Sequence, residues 1–511
     1  MPDATAMAVR DGVVAWLGSD EVGRAQYPDA EVVDLGGAFV APAFVDSHVH
    51  VTATGLALTG LDLRSAASLR HCLQLLADFA GAHPDGVIWA HGWDESGWPE
   101  RTPPSTADVD AAVGDRHAYL ARIDVHSAVA STPLRRAAGL DDAVPLVADA
   151  HHRVRRAARD LLTATQRGTA RRAALDAAAA SGIVSVHECA GPEIGGLDDW
   201  QELRATDHGV EVVGYWGEAV TGAAQARELI EATGARGLAG DLFVDGALGS
   251  RTAWLHEPYH DLPEHCVAPT GNSYLDVAAI TAHLAACTEA GVTAGFHVIG
   301  DAAVSAVVTA LATVVDRFGS VAVARCGHRL EHVEMITGEQ AAALGAWGVI
   351  ASMQPAFDAA WGGEHGMYAQ RLGAARARGL NPFALLASRG VPLAFGSDTP
   401  VTPMDPWATV RAATTHQTPG SAISARAAFA AATRGAWRAS GIRDGLTGTL
   451  VPGAPASYAV WAADAFDVSA PADAVQRWST DPRSRVPVLP RLDGPLPRCL
   501  QTVHRGTVIH G

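Results

Sequence analysis

Four short apolar runs of this chain each end in residues that bind metal ions, and this recurrence constrains the folds open to the chain. The runs cover residues 40–45, 292–296, 326–330 and 392–397. The residues that follow them are His48 and His50, His297, Glu331 and His332, and Asp398. Parallel strands are buried on both faces, so they read as short apolar runs, and their functional residues lie at the carboxyl ends. The pattern therefore predicts a parallel α/β sheet with a polar site along one edge.

His48 and His50 are separated by one residue at the end of the first run. Alternate residues of a strand point to the same side, so the two imidazoles are expected to project together. This is the geometry in which a divalent transition metal takes its first pair of ligands. Such pairs also occur as ordinary core residues, and it is the three other strand endings that favour a metal site.

Length and composition exclude several classes of protein. The 511 residues are 48% hydrophobic and 18% charged, which excludes a disordered chain. A barrel of about 250 residues with insertions and a second small domain fits this length. The formal net charge of −17 argues against nucleic acid or an anionic membrane surface as a partner. No apolar run approaches the ~18 residues of a transmembrane helix, so no membrane partner is expected.

The cysteines and the N-terminus indicate a compartment. The six cysteines form no CxxC pair and are too few for a disulfide scaffold in so long a chain. Residues 1–7 lack the basic start and apolar centre of a signal peptide. We therefore expect a cytoplasmic protein.

The chain divides into a barrel, a small sandwich and an insertion. Residues 7–18 are typical of a hairpin around Asp11-Gly12, and further strand-like runs lie at 32–33, 38–40, 457–461 and 500–510. We expect residues 1–40 and 446–511 to form one β-sandwich domain and residues 41–445 to form the barrel. The insertion after the first barrel strand covers about residues 62–150, with a helix at 65–82 and a tryptophan-rich loop at 89–99.

Several further motifs point to a family. They are Gly92-Trp93-Asp94-Glu95, the stretch from Arg122 through Asp124 to His126, and the segments 182–187, 245–252, 297–301, 328–332, 354–355 and 396–400. With these motifs the chain resembles the amidohydrolase superfamily over nearly its whole length, in the branch of long amidohydrolases that includes the N-substituted formamide deformylases. The resemblance implies an α/β fold with a (β/α)₈ TIM-like barrel and hydrolysis of carbon–nitrogen bonds other than peptide bonds. A homodimer is an expectation at the level of the family.

The resemblance also implies roles for individual residues. It implies a divalent metal, expected to be zinc, on the histidines and the aspartate that end the four runs. It further implies that four residues of the insertion line the substrate pocket, namely Trp93, Asp94, Asp124 and His126. Core packing of the insertion is the alternative for the tryptophans. Arg251 follows a Gly/Ser turn, and either a substrate carboxylate or an internal ion pair would account for it.

The absence of lysine separates this chain from much of the superfamily. All 38 residues counted as Lys+Arg are arginine. The superfamily often carries a carboxylated lysine that bridges two metals, and the equivalent position, four residues before Asp245, holds Asp241. A carbamate bridge is therefore chemically impossible. Arginine cannot replace it, because its guanidinium stays protonated and offers no lone pair.

Two arrangements of the site remain open at this stage. In the one that we favour, a single metal is held by His48, His50, His297 and Asp398, while His332 binds the metal's water or the substrate. In the other, an anionic side chain bridges two metals. Candidates for that bridge are Asp241, by its position, and Glu188 or Cys189, which follow a strand-like run at 183–186. A solvated or capping Asp241 is equally compatible with the sequence.

The predicted chemistry assigns Asp398 and His332 as the catalytic residues. A divalent metal lowers the pKa of bound water toward neutrality. Asp398 would accept the proton of the attacking water and deliver it to the leaving nitrogen, and the metal or His332 would polarise the carbonyl. Glu331 and Asp301 are predicted to orient His332 and His297, with a helix cap as the alternative for Asp301.

Three functions are compatible with these residues. The leading hypothesis is hydrolysis of a small amide or N-substituted formamide. A mononuclear deaminase of a heterocycle is the second. Deaminases usually place a glutamate shortly after the fifth-strand histidine, where this chain reads Val-Ile-Gly-Asp over 298–301. A non-catalytic binding protein is the third, and the presence of every expected histidine and of Asp398 argues against it.

Overall fold

The computed structural model describes residues 4–123, 127–141, 144–262, 266–466 and 485–511. The chain divides into two compact units. The first comprises Met1–His50, Asp176–Trp200 and Asp207–Gly511, and the second comprises Val51–Leu175 and Gln201–Thr206. The second unit begins before the predicted insertion, residues 62–150, and ends after it.

Eight parallel strands of the first unit form one sheet in which strands adjacent in space follow one another along the unit. We call them barrel strands 1 to 8, and their bounds are Phe44–Val49, Ile183–Ala190, Glu211–Trp216, Gly237–Leu238, Thr293–Val298, Arg329–His332, Ile350–Met353 and Leu393–Phe395. The sheet closes between its ends, since the Asp398 N–H donates to the His48 carbonyl at 2.8 Å and Val49 bridges Thr399. The predicted (β/α)₈ barrel is confirmed.

The barrel strands are apolar because they are enclosed on both faces. Every residue of strands 1, 2, 5, 6 and 7 is buried, including the histidines and carboxylates that these strands carry. Buried polar groups are costly unless they are paired or bind a ligand. Each buried polar residue of the barrel therefore needs a hydrogen bond, an opposite charge or a bound ligand.

Helices alternate with the strands, as βα repeats require. In the first unit they span Asp20–Gln26, Ala223–Thr233, Val277–Ala290, Asp301–Phe318, Ser320–Cys326, Gly338–Trp347, Pro355–Trp361, Met367–Leu372, Ala374–Ala377, Phe383–Ser388, Pro406–Thr414, Ala425–Ala430 and Ala436–Ala439, with a 3₁₀ turn at Pro419–Ser421. Two helices, Ala164–Ala180 and Gly196–Arg204, have residues in both units.

The helices Ala425–Ala430 and Ala436–Ala439 are joined by a π-helical turn at Ala431–Gly435. Gly435 lies against strand 8, where a Cβ atom would come within 2.3 Å of the Leu393 carbonyl oxygen. The close approach requires glycine at this position, and this glycine is the last residue of the π-helical turn.

Both ends of the chain form small antiparallel sheets. The hairpin of Ala6–Arg10 and Val13–Gly18 turns at Asp11 and Gly12, whose φ angles of 51° and 73° suit a two-residue hairpin turn. A four-stranded sheet runs in the order Thr507–His510, Arg498–His504, Tyr458–Ala462 and Phe39–Pro42. Residues 32–33, which read as strand-like, lie outside the strands, and both valines there are exposed.

The second unit has a four-stranded sheet of its own. Its strands follow the order Leu61–Asp62, Ile88–Trp93, Ala118–Arg122 and Ala128–Ala130. Its helices are Val51–Thr59, Leu69–Ala82, Thr106–Val113, Thr132–Ala137 and Ala148–Asp160, with a 3₁₀ turn at Glu95–Gly97.

Among the described residues, no single helix is long and apolar enough to span a membrane. One sharply bent pair, Asp301–Phe318 with Ser320–Cys326, passes that test on length and composition alone.

Candidate metal centre

Strand 1 carries His48 and His50 into the site, with ring centroids 5.4 Å apart. His48 is fully buried, and its Nδ1 lies 3.0 Å from the Glu331 carboxylate. Because a carboxylate only accepts, Nδ1 carries a proton, and in the neutral ring the lone pair is on Nε2. That Nε2 atom is buried and makes no hydrogen bond in the part of the chain described.

His297 from strand 5 and His332 from strand 6 repeat this arrangement. Nε2 of His297 lies 3.2 Å from the Gly246 carbonyl, and Nδ1 of His332 lies 2.7 Å from Oε1 of Gln354. The other nitrogen of each ring is buried and has no hydrogen-bond partner among the described residues. The two rings lie 4.4 Å apart, and His332 lies 5.0 Å from His48. Three imidazoles thus present nitrogens without a hydrogen-bond partner among the described residues to one small volume.

Two carboxylates complete the cluster. Asp241 places Oδ1 3.5 Å from Nε2 of His48 and 3.6 Å from Nδ1 of His297, and it places Oδ2 3.2 Å from Nε2 of His50. Asp398 places Oδ1 3.5 Å from Nε2 of His48 and 3.4 Å from Nε2 of His50. Asp241 therefore contacts histidines of strands 1 and 5, whereas these contacts of Asp398 are with strand 1.

The electrostatics of the cluster favour a cation. Burial alone would lower the pKa of His297, but the Asp241 carboxylate outweighs it and raises the pKa to about 9. Burial likewise opposes the charge on His50, yet both aspartates hold its pKa well above the usual range. Burial would raise the pKa of Asp241, and the surrounding histidines lower it well below its ordinary value. Without a metal, protons supply the positive charge that the two buried carboxylates require.

The donor set fits a divalent transition metal. Imidazole nitrogens and carboxylate oxygens are the ligands of such ions, and buried donors without partners mark the place of one. Potential ligand atoms lie within 4.8 Å of one another in each of two groups, His48–His50–Asp398 and His48–Asp241–His332. A cation there would take the place of the protons.

Two of these residues have strained backbones. His332 has a φ of 71° and Asp398 a φ of 54°, in the left-handed region that residues other than glycine rarely adopt. Each such residue costs on the order of 1–3 kcal/mol and is retained where the surrounding structure demands it. Both lie at strand ends, where the backbone turns out of the barrel.

A buried ion pair between Arg329 and Glu331 contacts strand 1. Arg329 is fully buried and donates to both oxygens of Glu331, to the Ser47 carbonyl at 2.6 Å and to Oγ of Ser352 at 2.9 Å. It also donates to Nδ1 of His187 at 3.1 Å. The pair fixes both the carboxylate that binds His48 and the backbone of strand 1.

Two predicted orienting contacts are wrong. Glu331 orients His48 and not His332, whose partner is Gln354. Asp301 is the first residue of its helix, whose N-cap is Gly300, and it accepts from the backbone N–H groups of His256 and Ala302. His297 bonds instead to the Gly246 carbonyl. The sequence carried a signal for Gln354, since the pair Gln354-Pro355 stands at the end of strand 7 and was among the family motifs.

The remaining predicted residues are placed as follows. Arg251 pairs with Asp261 through bonds of 3.0 and 2.7 Å, which is the ion-pair alternative. Trp93 is buried in the core of the second unit and donates to the Leu120 carbonyl. Asp94 lies 3.2 Å from Arg122 of the same unit. Asp124 and His126 lie outside the described residues. The substrate-pocket role of these insertion residues stays a prediction.

The two alternative bridging residues lie on strand 2. Glu188 and Cys189 are both buried. Burial, reinforced by the neighbouring carboxylates, raises the pKa of the Cys189 thiol well above its usual range. A potential ligand atom of Cys189 lies within 4.8 Å of ones on His48 and Glu331, but Glu331 is already paired with Arg329. Asp241, which contacts three of the histidines, is the better-placed anionic group.

The fold and the site together define a metal-dependent hydrolase built on a (β/α)₈ barrel. The sequence profile of the amidohydrolase family matches residues 31–510, so the chain belongs to that family.

Relatives of known sequence or structure agree with this assignment. YtcJ of Bacillus subtilis, which carries an amidohydrolase name, is 27% identical over 431 residues, 78% of each chain. The crystal structure of an uncharacterized metal-dependent hydrolase from Pyrococcus furiosus matches with a TM-score of 0.71 at 25% identity, covering 89% of this chain and 94% of that one. The N-substituted formamide deformylase of Arthrobacter pascens is 28% identical over 134 residues, which is 25% of this chain and 24% of that protein.

Proposed function

We propose that this protein hydrolyses a carbon–nitrogen bond other than a peptide bond in a small molecule, an amide or an N-substituted formamide. The observation that carries the proposal is an aspartate of strand 8 that lies beside both strand-1 histidines within the cluster. The deformylase relative supports the formamide class over the 134 residues that match.

We propose zinc as the metal, because histidine and carboxylate ligands suit it. A bound divalent cation supplies Lewis acidity, which polarises a carbonyl and makes water a stronger acid. The residues that would hold it are His48, His50, His297, His332 and the two aspartates.

Asp398 is the proposed proton carrier. Burial would raise its pKa, but His48 and His50 lower it, so the carboxylate is ionised at neutral pH. Its side chain is 10% exposed, whereas that of His48 is fully enclosed, so Asp398 is the more accessible of the two. It accepts the proton of the attacking water and returns it to the leaving nitrogen.

His332 is better suited to bind metal than to donate a hydrogen bond. Burial, together with the neighbouring histidines, lowers its pKa to about 3, so the ring is neutral. Since Nδ1 donates to Gln354, Nε2 has a lone pair and no proton to offer a substrate carbonyl. This ring would therefore help to hold a cation, and polarisation of the carbonyl would come from that cation when it is bound.

The proposal is tested with zinc-loaded protein and a panel of N-substituted formamides, simple amides and amino-substituted heterocycles. We expect release of an amine together with formate or a carboxylate. The variant Asp398→Asn, assayed with saturating zinc and with its metal content measured, should lose about 10²–10⁴-fold in kcat. Asp316→Asn, at an exposed position of the helix Asp301–Phe318, is the matched control. Ammonia released from a heterocycle would favour the deaminase instead, and an Asp398→Asn variant of full activity would overturn the role of Asp398.

We also propose a cytoplasmic location, which the six free cysteines support. A homodimer stays a prediction, and sedimentation of the metal-loaded protein at several concentrations tests it.

A further inference from the structure

Phenylalanine rings border two histidines of the candidate metal centre. Phe243, which bridges His297 shortly after strand 4, has its ring centroid 4.8 Å from that imidazole. Phe357 stacks on the ring of His332, with the two planes 10° apart and the centroids 6.0 Å apart. The two phenylalanines follow different strands, 4 and 7, of the same sheet. Apolar surface is therefore brought to the centre from two directions along the chain.

Trp361 extends the apolar surface beside His332. It lies four residues after Phe357 in the helix Pro355–Trp361, so the two side chains share one face of that helix, and their ring centroids are 4.7 Å apart. Phe357 is only 5% exposed, whereas Trp361 and Phe243 are half-buried. The surface open to a ligand is therefore mainly that of Trp361 and Phe243.

The helix that carries this surface is held in place by buried polar contacts. Asp358 is buried, its Oδ2 accepts from the Gln417 backbone N–H at 2.8 Å, and its Oδ1 lies 3.4 Å from Nε2 of His416. At the end of the helix, Trp361 lies against the buried ring of Tyr368, with centroids 6.2 Å apart. The aromatic surface is thus fixed before any ligand binds, which lowers the entropic cost of binding.

The tryptophans of the insertion offer less surface to a ligand. Trp93 and Trp98 are 3% and 4% exposed, and both lie in the core of the second unit. Their Nε1 atoms donate to the carbonyls of Leu120 and Ala66 at 3.0 and 2.7 Å. By contrast, Trp361 keeps accessible surface and belongs to a helix that begins at the end of a barrel strand.

We propose that Phe243, Phe357 and Trp361 bind the apolar substituent of the substrate, so that the protein prefers a flat ring at that position to a methyl group. The inference rests on the proposed function and specifies the substrate of that site. A substrate whose carbonyl lies at the candidate metal centre places its substituent beside the centre, where these rings lie. Rings gain from offset-stacked and edge-to-face contacts in addition to the burial of apolar area. In a formamide the nitrogen carries the substituent, so the released amine carries the ring.

The affinities of two hydroxamic acids for the zinc-loaded protein test the proposal without turnover. Both compounds chelate a divalent metal through the same two oxygens, but benzohydroxamate carries a phenyl ring where acetohydroxamate carries a methyl group. We expect calorimetric titration to show tighter binding of benzohydroxamate by about 10–100-fold. Trp361→Ala should reduce this ratio by about tenfold and leave the affinity for acetohydroxamate unchanged. Trp361→Phe, which keeps a ring, should retain most of the preference.

Further variants separate binding from folding. Phe243→Leu and Phe357→Leu keep an apolar side chain without a ring, and each should reduce the ratio. Trp16→Ala, at a half-buried tryptophan of the hairpin strand Val13–Gly18, is the matched control and should bind both compounds like the wild type. Zinc content and melting temperature are measured for every variant.

Two results would overturn the proposal: equal affinity of the wild type for both compounds, or a ratio that no substitution at Phe243, Phe357 or Trp361 changes. A Phe357→Leu variant that has lost zinc and binds both compounds equally weakly would make Phe357 a support for His332 alone.

Failure of the proposed function has a different signature. If benzohydroxamate is preferred but the substrate panel is not hydrolysed, the function fails and the apolar binding surface stands. If N-phenyl and N-methyl formamide are hydrolysed with equal kcat/KM, the function stands and the preference for a ring fails.

Discussion

The carboxylate of Glu331 lies 3.0 Å from Nδ1 of His48, and both side chains are fully buried. Burial alone would raise the pKa of Glu331, but the charge of Arg329 and the bond to His48 lower it below its ordinary range. An ionised acceptor fixes the tautomer of His48 with its free lone pair on Nε2. This contact connects the buried Arg329–Glu331 ion pair to His48, a proposed metal ligand.

Replacing Glu331 by glutamine should weaken metal binding by about 10–100-fold, because ligating histidines depend on such partners for orientation and basicity. The measurement is a competition titration against a chromophoric chelator. Glu339→Gln, at an exposed position of the helix Gly338–Trp347, is the matched control and should bind metal like the wild type. Equal affinity in the wild type and Glu331→Gln would mean that the ring of His48 is held by packing alone.

Replacing one member of the buried ion pair should cost more stability than replacing both. Arg329→Met leaves the Glu331 charge without its main partner and is expected to lower the free energy of unfolding by about 3–5 kcal/mol. Arg329→Met combined with Glu331→Met removes both charges and should be less destabilised than the sum of the two single variants. Chemical denaturation of the four proteins with saturating metal measures the difference. Additive losses would show that the two side chains act independently.

The barrel and the residues that its strand ends bring together could be predicted from the sequence because both are local patterns. A buried parallel strand is a short apolar run, and the residues that end it share one edge of the sheet. His48, His297 and Asp398 could be found in this way without any knowledge of how the strands are arranged. The break in the helix at Ala431–Gly435 could not, since it depends on the contact of Gly435 with strand 8.

The pairing of side chains across the barrel was harder to predict from the sequence. Glu331 and His332 are consecutive in a strand, and consecutive residues point to opposite sides, so alternation already argued against pairing them. The true partner of Glu331, His48, is 283 residues away in the chain, and only the strand order brings them together. The position of Asp241 depends on an irregularity after strand 4, since Leu238 pairs with Ala294 and Phe243 with His297, which leaves two extra residues on the side of strand 4.

Removal of the metal should destabilise the protein. A cation that binds only the folded chain contributes about 4 kcal/mol at a thousand times its dissociation constant. Its loss leaves protons on the histidines to balance the buried charges of Asp241 and Asp398. We expect chelator treatment to lower the melting temperature and zinc to restore it, measured by scanning calorimetry at a fixed scan rate. The same treatment of His48→Ala should produce a smaller shift. Equal shifts in both proteins would attribute the effect to the chelator itself.

We expect the ionisation of Glu334 to lower the free energy of unfolding as the pH rises from about 4.5 to about 7. It is buried beside Tyr368 and Asn381, and burial raises its pKa from 4.5 to about 7. In that window the folded chain retains a proton that the unfolded chain releases, so the free energy of unfolding decreases by about 1.4 kcal/mol per pH unit, and by up to about 3 kcal/mol in all.

The variant Glu334→Gln carries no titrating group at this position, so its stability relative to the wild type should improve from pH 5 to pH 7 and then level off. Melting temperatures of both metal-loaded proteins, compared at each pH, isolate this group from the titration of the metal ligands. Glu339→Gln, at an exposed position of the helix Gly338–Trp347, is the control for the substitution itself. A flat difference for Glu334→Gln would mean that Glu334 ionises alike in the folded and unfolded chains.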